Sequence, residues 1–272
     1  MPPDADLASM ARQLQAMDQH RDVDLLRAYE ERQRRHPNPL VRFGAKCFSQ
    51  ADEDGLTLEI IRRIGLSQGR FAEFGVGDGM QNNTLILAAM GWHGFWVGNA
   101  DLAFDPTSSA RLTYTKAWIT ADTIVDHFRA GSAAGPVDVV SLDLDSNDYH
   151  MVQALLQDGA APALFIVEYN AKFPPPVRFV IRHDPAQVWG RDDYFGASLQ
   201  SFADLFGAHG YRLVCCNAAT GVNAFFVRDA FAGLFPEVPA DIRQVFVGPH
   251  YHLLRRHGHA QSVRTVLRVL EG

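Results

Sequence analysis

Glu73-Phe74-Gly75-Val76-Gly77-Asp78-Gly79 closes the apolar run that begins at Phe71, and a second apolar stretch opens at Thr84. A buried apolar run that ends in glycines and passes into a helix marks the first strand-to-helix turn of an α/β unit. Glycines let the backbone approach a ligand closely, and the N-terminus of the following helix offers free N–H groups to an anion. A dinucleotide fingerprint needs Gly-x-Gly-x-x-Gly. Here the spacing is Gly-x-Gly-x-Gly, with Glu73 two residues ahead of the first glycine. An acid at that place can accept a hydrogen bond from an ammonium group, which a pyrophosphate lacks. The turn suits an amino-acid-bearing nucleoside better than NAD.

Working outward, the apolar pattern predicts strands over Phe71–Val76, Gly94–Val97, Leu112–Ile119, Val137–Leu144 and Leu164–Tyr169. Helices are expected near Thr84–Met90, Ala121–Ala130 and Tyr149–Gln157, with another over Leu199–His209. Strands that alternate with helices pair in parallel, because each crossover must pass over a sheet face. Two further strands, Tyr211–Cys216 and Asn223–Val227, are separated by only Asn217–Val222 and should pair as an antiparallel hairpin. The expected fold is an α/β, Rossmann-like, doubly wound sheet of seven strands: five parallel strands plus the closing hairpin.

Around this core the organisation is expected in three parts. Residues 1–46 read as a helical arm, with Leu7, Met10, Leu14 and Met17 at 3-4-3 spacing, suited to packing on its own domain or a sister subunit. Residues 47–230 form the ligand-binding domain, and 171–196 is an irregular insert within it. Residues 231–272 read as a helical extension, with a basic face around Val263, Val266, Leu267 and Leu270.

Composition narrows the function classes. The 272 residues are 47% hydrophobic and 21% charged, enough for a sizeable core. The formal charge of −6 argues against a general nucleic-acid binder. No apolar run approaches the ~20 residues of a membrane helix, and residues 1–30 lack the apolar run of a secretory signal. Three cysteines, two of them adjacent, make no disulfide framework and point to a reducing, cytoplasmic setting.

In an open α/β sheet, ligands bind beyond the carboxyl ends of the strands. The fourth strand ends in Asp143 and Asp145, followed by Asp148 and His150, and the fifth ends in Glu168, with Asn170 beyond. Neighbouring strands lie about 4.8 Å apart, so these oxygens can converge, and crowded carboxylates repel one another unless a cation joins them. A hard divalent ion such as Mg²⁺ resolves the conflict. The alternative is that Asp143 contacts a cofactor while Asp145 and Asp148 cap the next helix, with no metal. His150 suits a general base by its ordinary pKa of about 6.5, with Lys172 its rival and Asp145 a further catalytic candidate. The insert carries Arg178, His183, Trp189 and Tyr194, whose aromatic planes and cations suit a small polar acceptor. Its alternative reading is a packed loop whose arginines face water.

The chain resembles the class I S-adenosylmethionine-dependent methyltransferases over roughly residues 45–230. The stretches that carry the resemblance include Ser49-Gln50 through Gly55, the glycine turn continuing into Asn82-Asn83-Thr84, and Gly91-Trp92. Asp143 through His150, Glu168-Tyr169-Asn170, Tyr194 through Ser198 and Gly221-Val222-Asn223 extend it. The resemblance implies that Glu73, Gly75, Gly77 and Gly79 cradle the methionine part of the cofactor, with Gln50 and Asn83 nearby. It places adenine against Trp118, Ile119 and Thr120, although Trp118 can equally be core. An acid is expected at the end of the second strand to hold the ribose. The sequence departs there, with Gly98 in that place, leaving Asn99 or Asp101 for the role. Similarity to catechol-type and sugar O-methyltransferases implies a metal on Asp143, Glu168 and Asn170, imperfectly, because Tyr169 separates the last two. The implied function is O-methylation of a small polar metabolite, a sugar or natural-product intermediate, with S-adenosylmethionine and a supporting Mg²⁺. Cyclisation or cleavage of the sulfonium, or a non-catalytic cofactor-binding subunit, remain alternatives. Expected partners are the small-molecule substrate and a second copy through the arm, with neither nucleic acid nor membrane.

Overall fold

A computed structural model describes residues 23–253 together with Met10, Arg256, His257 and Arg264. Most of the expected 1–46 arm before residue 23, and all of the apolar stripe near the C-terminus, lie outside the described residues.

The five parallel strands are β1 (Arg70–Phe74), β2 (His93–Gly98), β3 (Leu112–Lys116), β4 (Val139–Leu142) and β5 (Leu164–Glu168), and the hairpin is β6 (Tyr211–Cys216) with β7 (Asn223–Arg228). They form one sheet in the order β3-β2-β1-β4-β5-β7-β6. β1 to β5 pair in parallel, and β7 runs antiparallel to both β5 and β6. β4 and β5 are buried almost throughout, as strands covered on both faces must be, and their sequences VVSL and LFIVE accordingly read as near-continuous apolar runs. Helices α2 (Glu53–Arg63), α3 (Leu85–Ala89), α4 (Ile124–Gly131), α5 (Asp148–Gln157) and α6 (Leu199–Ala208) accompany the sheet. No helix among the described residues is long and apolar enough to cross a membrane.

Two flanking regions border the sheet. A helix over residues 23–35, α1, docks on the β6–β7 turn, where the Arg32 guanidinium donates to the carbonyls of Ala218 and Ala219. The expected helical extension from 231 onward is mostly irregular as far as Tyr251. It holds the end of a 3-10 turn (Asp229–Leu234) and one short helix, α7 (Ile242–Val245). Pro236, Pro239 and Pro249 interrupt it, since proline lacks the N–H a helix interior needs.

Strand order reverses between β1 and β4: β1 has β2 on one side and β4 on the other. Such a switch point opens a crevice at the carboxyl ends of the strands. The register pairs Phe74 with Leu142 and Leu142 with Val167, and Glu168 faces Asn223 on β7. Gly75, Asp143, Glu168 and Asn223 therefore stand in one row along the sheet's open edge.

Candidate functional site

The row is built from the glycine turn upward. Gly75 has φ of 91°, and a Cβ there would lie 1.6 Å from the Asp143 carbonyl oxygen. Only glycine lets β1 leave the sheet so close to the β4 exit. Gly77, at φ of 53°, has nothing within 4 Å of its missing Cβ, so its empty side faces open space. That space is a cleft of two adjoining cavities, about 320 and 540 Å³, that share Gly75, Gly77, Asp143, Asp145 and Trp189.

The smaller cavity runs toward β2 and β3 and is lined by Gly98, Asn99, Ala117, Trp118 and Ile119, with Asn147, Gln187 and Val188 opposite. Of the two ribose candidates, Asn99 lines this cavity, whereas Asp101 is exposed and paired with Lys116 at 2.5 Å. At Gly98, where an acid is expected, a Cβ would press on the Val76 side chain at 3.0 Å. Trp118 is 48% exposed and not core; its indole N–H donates to the Pro185 carbonyl. Thr120 does not line the cavity: its carbonyl accepts from Thr123 and Ile124 at the start of α4, and its hydroxyl pairs with Thr123. Gly79 also stands back, packed against Leu102, Phe104 and Trp96.

The larger cavity holds Gln50, Glu73, Asn82 and Asn83 on one side, and Asp143, Asp145, Glu168, Thr220, Asn223 and Tyr251 on the other. Glu73 is buried, and its carboxylate accepts from the Asn83 and Thr84 N–H groups, satisfying orphan donors ahead of α3. An incoming ammonium would have to share those oxygens. Gln50 is set by the neighbouring Asp54, whose carboxylate accepts from the N–H groups of Cys47, Phe48 and Ser49.

Ligand oxygens of Asp143, Asp145 and Glu168 lie within 4.8 Å of one another. Burial, reinforced by the charges of Asp145 and Asp148, holds the Asp143 carboxyl well above the ordinary carboxylate range. Burial and the Asp143 charge do the same to Glu168. Asp145 sits exposed in a left-handed turn (φ 57°), and the crowded protein around it desolvates its carboxyl in part and raises its pKa. The Glu168 Oε2 atom is buried without a hydrogen-bond donor. A carboxylate oxygen left in that state costs several kcal/mol or forces protonation. The oxygen-only donor set is the kind a hard divalent ion takes.

Several expected residues are elsewhere. Asn170 is a correction to the ligand set: its amide donates to the Asp193 and Phe195 carbonyls, and its oxygen accepts from Lys172 N–H, tying down the insert. Lys172 is ion-paired with the buried Asp193 and lines neither cavity, which removes it as the base. His150 is likewise away from the cleft, donating through Nε2 to the Ile181 carbonyl and lying 5.1 Å, ring to ring, from His183. Burial lowers its pKa. Arg178 pairs with Asp204 on α6, and Tyr194 packs with Phe179, so of the four expected acceptor contacts only Trp189 lines the cleft. Asp148 does not cap α5. Its two oxygens accept from the Leu144 and Ser146 N–H groups and hold the loop that carries Asp145. Asn147, Gln187, Thr220 and Tyr251 are additions that sequence reasoning missed. They come from loops without apolar periodicity, although Asn147 and the neighbours of Thr220 fall in or beside stretches that carry the resemblance.

Five parallel strands closed by an antiparallel hairpin, with a glycine-rich first turn at the switch point, are the arrangement that the sequence resembles. The fold is that of the class I methyltransferases. No family model matches the chain, and no curated protein matches it. Among solved structures it is similar to a protein named as a hemolysin from Streptococcus thermophilus, 12% identical over 74% of each chain, with a TM-score of 0.45. It is also similar to the methyltransferase MycE of the mycinamycin pathway, whose structure holds Mg, SAH and mycinamycin VI. That match is 16% identical over 62% of this chain and 47% of MycE, with a TM-score of 0.39. A third match is CalS10, an amino pentose methyltransferase from Micromonospora echinaspora, 12% identical over 68% of this chain and 92% of that one, with a TM-score of 0.39. The fold rests on the strand order itself.

Proposed function

We propose that this chain is an S-adenosylmethionine-dependent O-methyltransferase of a small polar metabolite, aided by a divalent cation. The observation that carries the proposal is the triad of Asp143, Asp145 and Glu168 at the floor of the cleft, directly beside the glycine turn. The cradle fits the cofactor, because the open side of Gly77 leaves room for a ligand against the backbone. Asp143 and Glu168 fit a cation, because the donorless Glu168 oxygen and the raised pKa values mark carboxylates lacking a counter-charge.

The two cavities divide the work. The smaller one, with Asn99 and Trp118, is shaped for the nucleoside. Glu73 and Asn83 border the larger one, where the amino-acid part would lie. S-adenosylmethionine, when bound, supplies an electrophilic methyl group, and a divalent ion lowers the pKa of an acceptor hydroxyl. Asp143 and Glu168 would hold that ion. Asp145, reachable from both cavities, accepts the hydroxyl proton now that His150 and Lys172 are accounted for elsewhere. Asp148 keeps Asp145 in place through Leu144 and Ser146. Trp189 borders both cavities and excludes water at the junction where methyl and acceptor meet.

The test is methyl transfer from radiolabelled cofactor to a panel of hydroxylated metabolites. Exhaustive chelation should lower turnover strongly while S-adenosylhomocysteine still binds. Full turnover after chelation, with no Mn²⁺ binding to the protein, would remove the cation from the reading.

A further inference from the structure

The insert does more than border the acceptor side. Residues 184–189 form part of the wall of the smaller cavity, which Gln187, Val188 and Trp189 line, and Val188 is exposed to solvent. Three points outside the insert hold this strap. Asn147, which is buried, donates through its side-chain amide to the Asp184 carbonyl at 2.8 Å and accepts from the Asp184 N–H at 3.3 Å. The Trp118 indole N–H donates to the Pro185 carbonyl at 3.0 Å. The Arg264 guanidinium donates to the Gln187 side-chain oxygen at 2.8 Å and stacks over Tyr194 at 4.1 Å. All three contacts run from protein to protein.

Between its anchors the strap makes an aromatic contact, Trp189 edge-on to Phe195 at 6.3 Å, and buries little other apolar surface. Val188 is 69% exposed, the highest value among the exposed large hydrophobic side chains, and Trp118 is half exposed. The separate apolar cluster of the insert, built on Phe179, Ile181 and Tyr194, lies outside this stretch. A segment held by a few polar bonds, with little buried apolar area, opens at low cost beside a firmly packed neighbour.

We propose that residues 184–189 form a gate on cofactor exchange, with Asn147, Trp118 and Arg264 as its latches. The inference rests on the reading of the smaller cavity as the nucleoside site. Because the latches join protein to protein, weakening them raises the frequency of opening for the empty and the loaded cleft alike. Entry and exit then accelerate together, and affinity changes little. An ordinary contact residue behaves differently, since its loss raises the exit rate alone.

The experiment is stopped-flow tryptophan fluorescence of the full chain mixed with S-adenosylhomocysteine, with exit followed by displacement. Arg264→Ala, which lines neither cavity and loses the bond to Gln187, is read for both rates and affinity, while Asn147→Ala and Trp118→Phe, which also line the cavity, are read for the entry rate. Arg264→Ala should raise association and dissociation rates together by about five- to tenfold, with Kd within twofold of the parent. The two cavity variants should raise the association rate by a similar factor, as expected for one or two lost hydrogen bonds. Unchanged entry in all three variants, or a faster exit with unchanged entry in Arg264→Ala, would overturn the gate. No binding by the parent protein would instead overturn the cofactor reading on which the gate depends.

Discussion

Gly75 and Gly77 are two residues apart and do different work. Gly75→Ala should cost more than about 4 kcal/mol or abolish folding, because its Cβ would stand 1.6 Å from the Asp143 carbonyl oxygen. Gly77→Ala meets no atom within 4 Å and carries only the left-handed backbone penalty of about 1–2 kcal/mol. It should stay folded by circular dichroism and lose at least tenfold in S-adenosylhomocysteine affinity. Equal urea midpoints for the two variants would contradict this division. The triad makes a second prediction at this scale. Glu168→Gln should weaken Mn²⁺ binding, read by paramagnetic resonance, by tenfold or more, while Asn170→Ala leaves it within threefold. A large effect from Asn170 would restore it to the ligand set, against the bonds that tie its amide to the Asp193 and Phe195 carbonyls.

Among elements, the N-terminal helix, the Ser49–Gly55 segment and the β6–β7 turn form one junction. Asp52 accepts from the N–H groups of Ala218 and Ala219, and Glu53 accepts from the side chains of Asn217 and Asn223. Arg32 and Tyr29 of α1 close it from outside, bonding the Ala218 and Ala219 carbonyls and Asp52. Arg32→Ala should lower stability by about 1–2 kcal/mol in urea unfolding, a modest figure because the guanidinium is only half-buried. No loss would mean that α1 is not bound to the turn. This junction was not legible beforehand, because its partners stand some 165 residues apart in the chain. The strands were legible, since alternation and glycine punctuation are local signals. The short Asn217–Val222 link foretold the antiparallel β6–β7 pair. The insert was opaque because it lacks periodicity: Lys172 within it, and Asn170 and His150 beside it, have the residue types of ligands and bases, yet each is used to fasten it.

For the whole molecule, the buried acids set the response to pH. Asp148 is pushed up to about 7 by burial, and Asp143 and Glu168 are also raised. A carboxyl with a raised pKa in the folded state keeps a proton that the unfolded chain gives up near pH 4. Stability from these groups is therefore fully present below the ordinary carboxylate range and declines as pH rises through neutrality. Thermal scans without divalent ions should give a falling melting temperature between about pH 5 and 8. Added Mg²⁺ should flatten the slope, because it binds ionised Asp143 and Glu168 of the folded state alone. A flat profile without ions would mean that the acids are ionised and satisfied by other means.

Isothermal titration of the full chain with S-adenosylhomocysteine shows whether the switch-point cleft takes S-adenosylmethionine. One site per chain with micromolar affinity is expected, weakened at least tenfold in folded Gly77→Ala. A folded parent protein that gives no binding isotherm, or one that Gly77→Ala leaves unchanged, would contradict this.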